Sequence, residues 1–74
     1  MKNRTAIERI GDALRKHREA LGTSQEAFAD DIGMHRTYYS ALERGESNLT
    51  VKTLEKVCDG LGVKVWEIFK DAGV

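Results

Sequence analysis

The sequence lacks several features that would indicate particular classes of protein. Its only cysteine, Cys58, has no partner for an intrachain disulfide, and one thiol is too few for a multi-cysteine zinc site. No apolar run approaches the ~18 residues that a membrane span needs. The polar start MKNRTAIERIGD has no apolar signal-peptide core. We therefore expect a soluble, cytoplasmic protein with no cofactor, no metal site and no membrane attachment.

Chain length and net charge limit the number of domains and the partners that the protein can have. The 74 residues are enough for one domain, residues 1–74, whose core is marginal unless the chain oligomerises. Twelve basic and twelve acidic side chains give a net charge of zero, whereas many DNA-binding domains are basic. Zero net charge does not exclude DNA as a partner, because DNA binding depends on how charge is distributed over one face of the protein. Zero net charge does predict modest affinity for non-specific DNA and dependence on a specific site.

Apolar spacing predicts an all-α fold of five helices. The chain has no proline and no alternating β pattern, and its apolar residues recur every three or four positions between glycines. The first helix is predicted over about 5–21 and ends at Gly22. Its apolar stripe consists of Ile7, Ile10, Leu14 and Leu21. The second helix is capped by Ser24 or Thr23, and Thr23 and Glu26 have capping-box spacing.

Three more helices complete the prediction. The third starts near His35 and stops at Gly45. The fourth follows Thr50 as its cap, closes at Gly60 or Gly62, and buries Cys58 as a small apolar residue. The fifth spans about 64–71, with Ile68 and Phe69 predicted as core.

Residues 25–44 carry the functional signal. Two helices joined by a tight turn need a small residue where they cross, and the turn needs positive φ, which glycine adopts without cost. Ala29 and Gly33 supply these, four positions apart. Apolar side chains must then seal both helices onto the domain, and the candidates are Phe28, Ile32, Met34, Tyr39 and Leu42. A generic antiparallel helix pair meets fewer of these constraints, so the stretch indicates a helix-turn-helix.

The segment SQEAFADDIGMHRTYYSALERG resembles the helix-turn-helix of the Xre/Cro/CI repressor family. The resemblance extends from IGDALRKHREALG through LTVKTLEKVCDGLGV to WEIF, and so covers nearly the whole chain. It implies a compact five-helix bundle of the lambda repressor-like type and a homodimer that binds a palindromic operator in double-stranded DNA. Within the family, HRTYYSALERGESNLTVKTLEKV is most similar to the controller proteins of restriction–modification systems.

The third helix carries the candidate base-reading residues. In this motif the N-terminal part of the second helix of the pair enters the major groove. If Tyr39 and Leu42 face the core, the outer face presents a set of polar side chains: His35, Arg36, Thr37, Tyr38 and Ser40. Arg36 is the leading candidate, because its planar fork can bond O6 and N7 of one guanine together. In isolation the same residues would form an ordinary solvated helix face.

Other residues are predicted to bind phosphates of the DNA backbone or to stabilise the fold. Gln25 begins a helix, where its amide and free backbone N–H groups can bind a phosphate. The loop after the third helix adds further phosphate-binding candidates: Arg44, Ser47, Asn48 and Lys52. The family resemblance also implies a partly buried structural ion pair between Arg18 and Glu43. His17 and Thr23 depart from the family pattern, which usually has apolar residues there.

The fifth helix and three acidic residues indicate possible protein partners. Val65 and Trp66 are predicted at a dimer interface, because a half-exposed tryptophan on a small domain usually marks a contact surface. Trp66 folded back over its own core is the alternative. An activator would also contact RNA polymerase, and Asp30, Asp31 and Glu46 are candidates for that patch.

The sequence also bears on two other functions. An enzyme is disfavoured, because no nucleophile, base and orienting group have a recognisable spacing and so short a chain has little room for a pocket. The second alternative is an antitoxin or other protein-binding module on the same fold, which zero net charge and an exposed Trp66 would suit.

Overall fold

A computed structural model describes residues 4–74, so the first three residues of the predicted domain lie outside the described part. Five α-helices follow one another: α1 Ala6–Ala20, α2 Gln25–Asp31, α3 Arg36–Arg44, α4 Val51–Leu61 and α5 Val65–Ala72. No strand occurs in residues 4–74, which confirms the all-α prediction. Within the same residues, none of the helices combines the length and apolar character needed to cross a membrane.

Polar side chains cap the first four helices, and at α4 the cap is the residue that the sequence predicted. Thr5 and Glu8 form a capping box at α1, and Thr50 accepts from the Thr53 N–H at 3.1 Å to begin α4. At α2 the cap is Ser24, whose hydroxyl accepts from the Ala27 N–H at 3.1 Å. The predicted box of Thr23 and Glu26 is wrong, because Thr23 lies one residue outside the cap.

The core is formed by one apolar stripe from each helix. Its largest fully buried members are Tyr39, Leu14, Ile68, Val57 and Cys58. Leu21 was predicted in the stripe of α1 but is 55% exposed, because the helix ends at Ala20 and the chain turns away. Phe69 is only partly buried at the edge of the core.

Two glycines let α1 and α4 approach the helix-turn-helix closely. At Gly11, where α1 crosses α3, a Cβ would lie 2.6 Å from the Glu43 carbonyl oxygen. At Gly60 of α4, a Cβ would contact the Ile32 side chain and lie 3.1 Å from Cζ of Phe28. Neither glycine has positive φ. Both positions therefore need glycine for space, a role that helical periodicity alone does not reveal.

The C-terminal helix closes the bundle against α1. The Arg9 guanidinium donates to the Gly73 carbonyl at 3.1 Å, and Nε2 of His17 lies 2.6 Å from the Asp71 carboxylate. Ile68 and Ala72 are buried beneath these contacts. His17 thus occupies an apolar position of the family pattern by pairing with α5 at the bundle surface.

Candidate nucleic-acid interface

The helix-turn-helix is built as its spacing predicted. Ala29 is 1% exposed where α2 and α3 meet, and Gly33 in the turn has φ of 66°. The rings of Phe28 and Tyr39 pack with their centroids 5.2 Å apart, which ties α2 to α3. Lys56 of α4 donates to the Gly33 carbonyl at 3.4 Å. The turn is therefore held both by packing inside and by α4 outside.

Burial of Tyr39 and Leu42 leaves the opposite side of α3 free. His35, Arg36, Thr37 and Tyr38 are exposed, and Ser40 is half-buried. His35 also has a role that the sequence analysis missed: it is the N-cap of α3, and its Nδ1 accepts from the Thr37 N–H at 3.3 Å. One ring nitrogen of His35 is thus engaged by the helix start, which leaves Nε2 for an outside partner.

Arg36 has the greatest reach on this face. It is the first residue of α3, and its side chain is 65% exposed. The closest carboxylate is that of Glu26 on α2, with Nη1 of Arg36 and Oε2 of Glu26 3.6 Å apart. Glu26 is itself largely exposed, and a solvated pair at this distance contributes little. The guanidinium can therefore exchange that contact for a base at small cost.

Beneath the exposed face lies a buried ion pair between α1 and α3. Nε of Arg18 is 2.6 Å from Oε2 of Glu43, its Nη2 is 3.1 Å from Oε1, and its Nη1 donates to the Thr23 carbonyl at 2.7 Å. Both side chains are almost wholly buried. Burial alone would raise the pKa of Glu43, but hydrogen bonds from Arg18 and Gln25 lower it. The pair fixes the position of α3 relative to α1.

The same carboxylate orients Gln25. The Gln25 amide donates from Nε2 to Oε1 of Glu43 at 2.8 Å, across the start of α2. The predicted phosphate-binding amide is therefore already held on one side by the buried pair, and its carbonyl oxygen and second N–H remain. Spacing along the chain gave no sign of this contact, because Gln25 and Glu43 lie 18 positions apart.

The other phosphate-binding candidates lie along the rim after α3. Arg44 donates from Nε to Glu46 at 2.9 Å and from Nη1 to the Ser40 hydroxyl at 2.5 Å. Beyond it, Ser47 is half-buried, and Asn48 and Lys52 are exposed. Among the acidic candidates for a polymerase contact, Glu46 is paired with Arg44, whereas Asp30 and Asp31 are exposed at the end of α2.

The two residues predicted at a dimer interface differ in exposure. Trp66 is 59% exposed at the start of α5, so its ring does not cover the core of its own chain. Val65 is partly buried and packs against the core. Of the two residues predicted at the interface, Trp66 is therefore the more exposed.

The possible metal ligands and the cysteine thiol lie in residues 4–74. That part of the chain contains no group of three or more His, Cys, Asp or Glu side chains placed to hold a metal ion. Cys58 is buried on the inner face of α4, and burial raises the pKa of its thiol to about 11. It is thus a protonated core side chain at neutral pH.

Several known proteins are similar to this chain in sequence and in fold. A helix-turn-helix family model matches residues 14–65. Control protein C.MunI of a Mycoplasma species is 45% identical over 64 residues, which cover 85% of this chain and 86% of that protein. Control protein C.SmaI of Serratia marcescens is 33% identical over 67 residues, covering 90% and 80% of the two chains. A solved structure of the restriction-modification controller protein C.Esp1396I, a tetramer with its natural 35 base-pair operator, has a TM-score of 0.82 at 30% identity and covers 97% of this chain and 100% of that one.

Proposed function

Since this chain belongs to the Xre-type helix-turn-helix family of transcriptional regulators, we propose that it binds a palindromic operator in double-stranded DNA as a homodimer. It is a DNA-binding regulator rather than an enzyme. Its similarity to C.MunI and C.SmaI supports a role as the controller of a restriction–modification system. The proposed function places the protein in the cytoplasm, where bacterial DNA lies.

One observation carries the proposal: the start of α3 presents exposed polar side chains on a rigidly anchored helix. Arg36, Thr37 and Tyr38 project outward, while Tyr39 on the same helix is fully buried. In the major groove, Arg36 would bond one guanine and Thr37 would offer its hydroxyl to a base and its methyl to thymine. Tyr38 and the free nitrogen of His35 would reach neighbouring base edges, and Ser40 lies one turn further along the helix.

Backbone contacts would set the register of the protein on the duplex. Gln25, oriented by Glu43, would bind a phosphate at the start of α2. Arg44 would bind further phosphates together with the rim after α3, whose residues are Ser47, Asn48 and Lys52. The contacts of Arg44 with Glu46 and Ser40 would be exchanged for phosphate contacts on binding.

A dimer through α5 would pair two such surfaces. Two recognition helices would then lie about 34 Å apart, one turn of DNA. Trp66→Ala is expected to weaken self-association in sedimentation experiments, because it removes the largest exposed apolar side chain of α5. Leu21→Ala is the matched control, since Leu21 is also exposed but lies at the end of α1. An unchanged dimer in Trp66→Ala would place the interface elsewhere.

Selection of bound fragments from random and upstream DNA, followed by titrations against salt, tests the function. Specific binding should fall steeply as salt rises, because phosphate contacts release counterions. Failure to bind any duplex would contradict the proposal and favour the antitoxin alternative.

Arg36→Ala tests base reading on the selected operator. It should cost about 1–3 kcal/mol and relax the preference at one base position. Lys16→Ala, which removes one exposed positive charge from α1, is the control and should leave the preference intact. Equal loss on every sequence would instead make Arg36 a phosphate contact.

A further inference from the structure

An open cleft of about 490 Å³ separates the N-terminal part of the chain from the helix-turn-helix. Arg4, Asp12 and Arg15 line one wall, and Gln25, Ser40 and Arg44 line the other. The second wall consists of residues already assigned to DNA. The cleft exists because α1 crosses α3 at Gly11, which places the next turn of α1 beside the start of α2. Sequence spacing gave no indication that α1 shares this surface.

The charges of the cleft leave a positive excess on the α1 wall. Asp12 is shared by three cations: Arg15 at 2.7 Å, Lys16 at 3.2 Å and Arg4 at 3.7 Å. Partial burial would raise the pKa of Asp12, but these cations lower it, so the carboxylate is ionised near neutral pH. Within the cleft lining, the one negative charge of Asp12 thus faces two positive ones, Arg4 and Arg15, because Lys16 lies outside the lining. The other carboxylate of the cleft, Glu43, is already neutralised by Arg18.

Asp12 orients the guanidinium of Arg15 and leaves most of its N–H donors available. Arg15 donates one hydrogen bond to Asp12, from Nη2, whereas a guanidinium has five N–H donors. The Arg15 side chain is 47% exposed. A guanidinium that is oriented by a neighbour and still has free donors loses less entropy when it binds an anion.

We propose that Arg15 forms a further phosphate-binding subsite, so that the protein also contacts the DNA backbone through α1. The proposal rests on the proposed function and extends its footprint. Asp12 acts as a positioning residue that directs the guanidinium into the cleft. Lys16 shares the same carboxylate but lies outside the cleft lining, on the side facing α5, and takes no part.

The test compares Arg15→Gln with Lys16→Gln. Each variant removes one positive charge and keeps an aliphatic stem, and circular dichroism checks that both remain helical. Affinity for the selected operator and for an unrelated duplex is measured by fluorescence anisotropy between about 50 and 200 mM salt. The slope of log K against log salt should become shallower by about 0.9 per protomer in Arg15→Gln. Lys16→Gln should keep the wild-type slope, and Arg15→Lys should restore it.

Three results would overturn the subsite while leaving the proposed function standing. One is a wild-type slope in Arg15→Gln. The second is an equal change in Arg15→Gln and Lys16→Gln, which would show a general charge effect. The third is a loss confined to one base position, which would make Arg15 a base contact. Absence of binding by the wild-type protein to any duplex would instead contradict the proposed function itself.

Discussion

Replacing Gly11 by alanine tests the closest helix–helix approach in the bundle. The added methyl would contact the Leu42 carbonyl oxygen and lie 2.6 Å from that of Glu43. These atoms belong to the backbone of α3, so they cannot rotate aside as a side-chain end would. Relief therefore requires α1 and α3 to separate, which also stretches the ion pair between Arg18 and Glu43.

Two effects of opposite sign determine the outcome. In an ordinary helix interior, alanine in place of glycine stabilises by about 1 kcal/mol. Overpacking a tight contact costs about 1–3 kcal/mol, and a backbone obstacle favours the upper end of that range. The expected net effect of Gly11→Ala is a loss of about 1–2 kcal/mol in the free energy of unfolding. For a chain of this length that lowers Tm by roughly 4–16 °C.

Urea and thermal unfolding followed by circular dichroism measure the change. The control is the difference between Lys16→Ala and Lys16→Gly, which gives the alanine–glycine preference at an exposed site of the same helix. Both controls lose the Asp12 contact equally, so their difference isolates the backbone preference. If Gly11→Ala were stabilised by the same amount as this difference, the close approach of α1 and α3 would be refuted.

Further predictions concern the buried polar groups and caps. Glu43→Gln should cost about 3–5 kcal/mol in unfolding free energy, because it leaves the Arg18 charge unpaired. The pKa of Glu43 is lowered from 4.5 in the folded protein, so the stabilisation by the ionised carboxylate is present above pH 4.5. That stabilisation is lost as pH falls through the pKa of Glu43 in the folded protein. The Tm of Glu43→Gln should therefore fall less with acid than the Tm of the wild type. Iodoacetamide should label Cys58 at neutral pH only in denaturant, and labelling of the native protein would contradict its burial. Thr50→Ala should cost about 1 kcal/mol by removing the cap of α4, measured by urea unfolding, whereas an equal cost for exposed Lys52→Ala would deny that role.

The sequence was sufficient to predict those local features that are determined by single residues or by their neighbours. The five helices, the cap at Thr50 and the turn at Gly33 all follow from periodicity and turn chemistry, whereas the choice between Ser24 and Thr23 as the cap of α2 did not. The exposed start of α3 followed as well, because burial of Tyr39 and Leu42 fixes which face points outward. These are properties of neighbouring positions, which is why spacing alone predicts them.

Features that depend on which helices touch could not be predicted from spacing. Gly11 and Gly60 look like weak points in a helical pattern, and only the crossing of helices shows that they are required for space. The contact of Gln25 with Glu43 and the pairing of His17 with Asp71 join distant parts of the chain in the same way. The exposure of Leu21 depended on one residue at a helix end, where boundaries are least certain from sequence.

The contact between α1 and α5 has a consequence for synthesis. Arg9 and Gly73 lie 64 positions apart, and the part of α1 that packs against α5 stays uncovered until α5 is available. At about 5–20 residues per second, a nascent α1 waits roughly 3–10 s for its last partner to emerge from the ribosome. Helical bundles then fold within microseconds to milliseconds. Translation, and not folding, therefore sets the delay before a newly made chain completes its helical bundle.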